Sequence, residues 1–200
     1  YHWLSIASNN IGKGFTFNNG DITATDCYSE GDYYGIANDN SHNATARCTL
    51  INPIVRDSVD FGITSSNSTA GFFEIRGGLI NNPGGDALST YCKYQRVDGL
   101  RIIDTVGAGA AAVTIGTTNA AVNDSEFNLH LETVCSIGIH VSASNNCTLT
   151  GFAKTTHATG KVIYIEKASV GISVRNMQLI AGGSATANRG ALIEDTGTAN

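Results

Sequence analysis

Ala112-Val113-Thr114-Ile115, Gly138-Ile139-His140-Val141 and Val162-Ile163-Tyr164-Ile165 are three versions of one tetrapeptide. Their second residues, Val113, Ile139 and Ile163, stand 26 and 24 residues apart. Working outward in both directions, the same short apolar step returns at Phe15, Ile36, Ile63 and Leu88 and again at Leu192. The intervals along these eight anchors are 21, 27, 25, 25, 26, 24 and 29 residues. Between the anchors lie further alternating segments, Cys48-Thr49-Leu50-Ile51, Phe73-Glu74-Ile75-Arg76, Leu100-Arg101-Ile102-Ile103, Cys147-Thr148-Leu149-Thr150 and Ile172-Ser173-Val174-Arg175. Their intervals are 25, 27, 47 and 25, which marks the coil near Val122 to Phe127 as irregular.

Segments of period two, too short for helices and separated by Gly, Asn, Asp and Ser, read as strands. An antiparallel sandwich would also contain many short strands, but it would not bring the same face back every 25 residues or so. A parallel β-helix does, because each coil lays its strands on those of the coil before, at ~4.8 Å per coil. The expected fold is therefore all-β: one parallel β-helix over residues 1–200, of about seven to eight coils of ~25 residues. The anchors form its inward column, joined by stacked Asn, Ser or Thr.

Composition agrees. Gly, Asn, Ser and Thr make up 79 of the 200 residues, and charged residues only 14%, against roughly 25% in an average domain. Gly, Asn, Thr and Val are poor helix formers, which excludes a helical bundle or coiled coil. At 42% apolar and a net charge of −5 the chain is not of the disordered class. Lys and Arg number 12 against 17 acidic residues, with no basic cluster, so nucleic acid is not an expected partner. No run approaches the roughly 18 apolar residues of a membrane span, and no membrane insertion is expected. The five cysteines are widely spaced and form no CxxC, and they read as free buried thiols of a protein assembled in a reducing compartment. His42, His130, His140 and His157 share no coil station that would make a metal site, and His140 reads as structural. No cofactor is implied. No capping segment is evident at Trp3 to Phe17 or at Gly197 to Asn200. The chain is thus expected to be a piece of a longer one, or to have its ends covered by neighbouring subunits.

Parallel β-helices carry many functions, so function must come from a site. Neither an Asp-Asp nor a His-Gly pair of the pectinase kind occurs. The stretch Asn52-Pro53-Ile54-Val55-Arg56-Asp57-Ser58-Val59-Asp60-Phe61-Gly62 stands out, with two Asp three apart just before an apolar Gly step. It resembles the acidic strand-turn of phage tailspike endoglycosidases, and Ile75-Arg76-Gly77-Gly78 and Gly99-Leu100-Arg101-Ile102-Ile103-Asp104-Thr105 look similar to coils of the same family. The family's head-binding and trimerisation regions have no counterpart here. The resemblance implies a right-handed β-helix in a homotrimeric, virion-borne protein that binds bacterial surface polysaccharide, O-antigen or capsule, and often cleaves it.

The anchors give an independent reading of the same residues. Glu30 and Asp57 lie six residues before Ile36 and Ile63, and Asn82 six before Leu88, so the three are expected to stack at one station. Two stacked carboxylates repel, which raises one pKa and sets an acid beside a base, the pairing that glycoside hydrolysis uses. Glu30, Asp57 and Asp60 are the expected catalytic residues. Tyr28, Tyr33 and Tyr34 are expected to stack on sugar, with one of Tyr33 and Tyr34 turned inward by alternation, and Arg56 and Asn82 to make polar contacts. Acidic residues also suit turns for backbone reasons alone. The competing expectation is therefore a β-helical adhesin or structural spike that does not cleave.

Overall fold

The computed structural model of the chain describes residues 6–9, 11–17, 20–39, 46–65, 71–105, 111–117, 122–182 and 189–193. Among them every regular element is a strand and every strand pairing is parallel. The strands build a parallel β-solenoid from two sheets, one of eight strands and one of eleven. The expected ends at Trp3 and Gly197 to Asn200, and His42, lie outside the described residues.

The eight-stranded sheet stacks Lys13–Phe17, Tyr34–Asn38, Ile63–Ser65, Leu88–Thr90, Ala111–Ile115, Ile137–Val141, Lys161–Ile165 and Arg189–Ile193 in chain order. Its register follows the anchors: Phe15 pairs with Ile36, Ile36 with Ile63, Ile63 with Leu88, Leu88 with Val113, Val113 with Ile139 and Ile139 with Ile163. From Ile36 to Ile163 all six are fully buried. The last step differs by one residue: Ile163 pairs with Ala191, and Leu192 falls opposite Tyr164. Two adjacent apolar residues carry no parity signal, so sequence alone favours the bulkier one. Two residues beyond the anchors, Asn38, Ser65 and Thr90 form a buried polar ladder in which Ser65 donates to Thr90 at 3.3 Å and Thr90 donates to Gln95. Later coils fill the same station with Ile115, Val141 and Ile165.

The eleven-stranded sheet has two limbs. One stacks Ile22–Thr25, Arg47–Ile51 and Phe72–Arg76; the other stacks Ile6–Ser8, Tyr28–Glu30, Ile54–Arg56 and Leu79–Asn81. Both run into the long strand Tyr94–Thr105, and Glu126–Thr133, Thr148–Thr155 and Ser173–Ala181 continue from it. This corrects the expected irregularity. Phe73 pairs with Gln95, whereas Ile80 pairs with Ile102, so Leu100 to Ile103 belongs to the second limb. Phe127 pairs with Val97 and Leu149, so the coil near Val122 to Phe127 keeps its rung.

The core between the sheets holds Phe73, Phe127, Leu50, Ile75, Ile80, Leu100, Ile102 and Leu131, all essentially inaccessible. Burying each side chain contributes roughly 1.5–3 kcal/mol. All five cysteines are free and buried among them. Burial pushes the Cys48 thiol up to about 12 and the Cys147 thiol up to about 11, so both are unreactive.

Candidate functional site

The turn from the second limb into the eight-stranded sheet carries most of the residues singled out in the sequence. Its register is set at both ends. Glu30 pairs with Arg56 and Arg56 with Asn81, while Ile36 pairs with Ile63 and Ile63 with Leu88. Residues 31–35 join the first pair of ends, 57–62 the second and 82–87 the third, so the coil of Glu30 is one residue shorter. Equal offsets to the anchors therefore give unequal stations. Glu30 faces Arg56, not Asp57, and its carboxylate accepts from the Tyr28 hydroxyl at 2.6 Å. That hydrogen bond pushes the Tyr28 pKa up. Asp57 and Asn82 do stack, with Asn82 Nδ2 donating to Asp57 Oδ1 at 2.7 Å.

The station of Asp57 has a backbone cause. Asn9, Gly31, Asp57 and Asn82 all have left-handed φ, at 55°, 67°, 51° and 51°. Their amides donate in turn to the carbonyls of Glu30, Arg56, Asn81 and Ile103 at 2.8–3.1 Å. Only Gly and, among L-residues, Asn and Asp visit this region routinely, so the column selects those three types. At Gly31 a Cβ would come within 2.5 Å of Asn9 Oδ1. A second column of the same kind contains Asp124 and Asn146, with Asn146 donating to Asp124 at 3.1 Å.

Beyond that station the turn gathers aromatic rings. Tyr33 and Tyr34 have centroids 4.9 Å apart, and Tyr34 and Phe61 5.3 Å. Neither tyrosine is buried; Tyr33 is 41% exposed. The expected inward turn of one of them does not occur, because the strand begins only at Tyr34 and alternation does not govern the bend before it. Asp60 lies beside Tyr33: its amide donates to the Tyr33 carbonyl at 2.9 Å. The Asp60 charge is the main cause that pushes the Tyr33 hydroxyl up, and the hydroxyl also bonds to that carboxylate.

One coil on, Asp86 occupies the station of Tyr34 and Phe61, two residues before the anchor Leu88. Asp60 and Asp86 therefore stand on adjacent coils, one residue apart along the strand direction. The Asp86 carboxyl is half-buried, and Thr114 Oγ1 donates to its Oδ2 at 2.7 Å. Burial raises the Asp86 pKa; the Thr114 hydrogen bond lowers it, the Asp60 charge raises it and His140 lowers it, for a net shift upward.

Thr114, His140 and Tyr164 form one outward column, each directly following a buried anchor. The His140 and Tyr164 rings stack at 5.1 Å and 13°, and Lys161 Nζ lies 4.5 Å from the Tyr164 centroid. His140 Nε2 lies 2.9 Å from Glu166 Oε1, and the Ser142 hydroxyl donates to Glu166 Oε2. The Ser142 bond is the main cause that holds the Glu166 pKa down, with His140 adding to it. His140 is thus part of a surface strip rather than of the core.

The strip runs along the solenoid axis. Aromatic rings stand at both ends, Tyr33, Tyr34 and Phe61 at one and Tyr164 at the other, with Asp60, Asp86 and Thr114 between. Sequence reasoning found Asp60, Tyr33 and Tyr34 and missed Asp86, Thr114, Tyr164 and Glu166. Tabulating the residues two before and one after each anchor would have shown Asp86, Thr114 and Tyr164; Glu166, three after Ile163, follows the strand and carries no such signal. A depression of about 250 Å³ on the eleven-stranded sheet, lined by Arg96, Asp98, Glu126 and Asn128, offers no half-buried acid, since Asp98 and Glu126 are both exposed and Asp98 is bonded to Asn128 at 2.9 Å. Among the described residues no group of three or more His, Cys, Asp or Glu is placed to hold a metal ion.

No protein-family model matches the chain, and no curated protein or solved structure matches it. What fold and site define is a parallel β-solenoid with an acidic, aromatic-flanked strip along one sheet.

Proposed function

We propose that this solenoid binds a bacterial surface polysaccharide along the strip and hydrolyses its glycosidic bonds, as part of a tailspike-like receptor-binding protein of a phage virion. The observation that carries the reading is the Asp60–Asp86 arrangement: two carboxyls on adjacent coils in unlike surroundings, between aromatic platforms. Half-buried Asp86 is the general acid that protonates the leaving oxygen, and Asp60 is the base or nucleophile on the other side of the bond. Environment divides the two roles, as it does wherever one carboxyl of a pair is kept protonated. Thr114 positions Asp86, and the Tyr33, Tyr34, Phe61 and Tyr164 rings take the C–H faces of sugars. Tyr28, Glu30 and Arg56 extend the polar rim at the aromatic end. The chemistry calls for no cofactor. The sequence resemblance supports a homotrimer of parallel rods.

The second reading, a polysaccharide-binding spike that does not cleave, is favoured by Asp57 and Asn82, whose types follow from backbone geometry alone. Incubating the full-length parent protein with its host's purified polysaccharide separates the two. The catalytic reading expects oligosaccharides from wild type and none from Asp86→Asn. Binding with no oligosaccharide from either favours the spike.

A further inference from the structure

We infer that the polymer taken by this strip is uncharged, built of neutral or N-acetylated sugars rather than uronate, sialate or phosphate units; the inference rests on the strip being the polysaccharide site. Three acidic side chains line it, Asp60, Asp86 and Glu166. Of the described cations near them, Lys161 and His140 are engaged within the strip, and Arg56 and Lys167 are single exposed cations at its edges. Lys161 lies over the Tyr164 ring, and His140 is bonded to Glu166. Arg56 stands at the aromatic end, opposite Glu30. Recognition of an anionic sugar uses Arg or Lys donors converging on its carboxylate or phosphate, and no such fork is present among the described residues of the strip.

A sugar carboxylate seated between the aromatic ends would instead face the Asp60 carboxylate at close range and oppose ionisation of half-buried Asp86 further, where partial desolvation strengthens the repulsion. The groups that are available fit a neutral polymer. The rings stack on C–H faces regardless of charge, and Thr114, Ser142 and Tyr33 are already in the hydrogen-bond network around the acids.

Binding tests this without relying on catalysis. The full-length protein is titrated at low and at physiological salt with purified O-antigen and capsular polysaccharides, some uncharged and some bearing uronate or sialate. The expected result is binding confined to uncharged polymers, with affinity insensitive to salt, and a gain of about tenfold or more for anionic polymers in Asp60→Asn/Asp86→Asn as the repulsion is removed. Wild-type binding to a uronate or sialate polymer, or no binding to any uncharged one, overturns the inference. Binding to an uncharged polymer without its cleavage upholds the inference and sinks the catalytic reading alone.

Discussion

Glu30 lies across the coil boundary from Arg56, and Asp57 lies across the next boundary from Asn82. A single residue fewer in the turn after Glu30 separates the two acids. It leaves Asp57 in a left-handed column and directs attention to Asp60 and Asp86 further along the same turn.

Asp57 is there to meet the backbone. Its φ of 51° predicts that Asp57→Asn and Asp57→Gly fold as well as wild type. Asp57→Val should lose about 1–2 kcal/mol, the cost of forcing a residue with a branched Cβ into the left-handed region. Denaturant unfolding measures the difference. Equal stability of the Val variant would remove the backbone account of this column.

Asp86 carries the opposite signature. Because its pKa is raised on folding, it favours the folded state most at pH below the ordinary carboxylate pKa. That contribution is lost as pH rises through the raised value. Asp86→Asn should therefore raise Tm at neutral pH and bring no gain at acid pH, while abolishing cleavage. A Tm gain of equal size at both pH values would contradict the assignment.

Thr114 tunes that acid. Its hydrogen bond lowers the Asp86 pKa, so Thr114→Val should raise it further. The alkaline limb of the cleavage profile, where the general acid loses its proton, should then move to higher pH. A profile that merely drops in height, with its limb unmoved, would show that Thr114 acts only on packing.

The stacked anchors carry the fold. Ile63→Ala should destabilise the solenoid by about 2–5 kcal/mol, as for other fully buried large-to-small changes. Gly62→Ala should also destabilise, because its Cβ would lie 2.5 Å from the Ala87 carbonyl oxygen and 2.7 Å from Ile80 Cγ2. Chemical denaturation checks both; a neutral Gly62→Ala would mean that the corner has room to spread.

Much of this was legible in the sequence, where one strong signal repeats. Ile36, Ile63, Leu88, Val113, Ile139 and Ile163 each hold the same inward, apolar station of a strand in the eight-stranded sheet, so the period and the register through Ile163 could be read directly. Phe127 was hidden because the alternation at Leu100 to Ile103, in the merged strand one coil earlier, belongs to the second limb, while the residue that pairs with Phe127 in that strand is Val97. Turn length was the weaker signal. Whether 31–35 or 57–62 holds the extra residue decides which acids face each other, and turns tolerate insertions that strands do not. Asp86 was missed for a different reason. A lone acid between Gly85 and Ala87 has no motif around it, and only its offset from Leu88 places it beside Asp60.

The most direct test is release of reducing ends from the host's polysaccharide by the full-length protein, with polymer binding measured alongside. The wild type, Asp86→Asn, Asp60→Asn and Asp57→Asn are compared. The account predicts losses of about 100-fold or more for Asp86→Asn and Asp60→Asn with binding retained, and a rate close to wild type for Asp57→Asn. Undiminished cleavage by Asp86→Asn, or its abolition in Asp57→Asn, would contradict it.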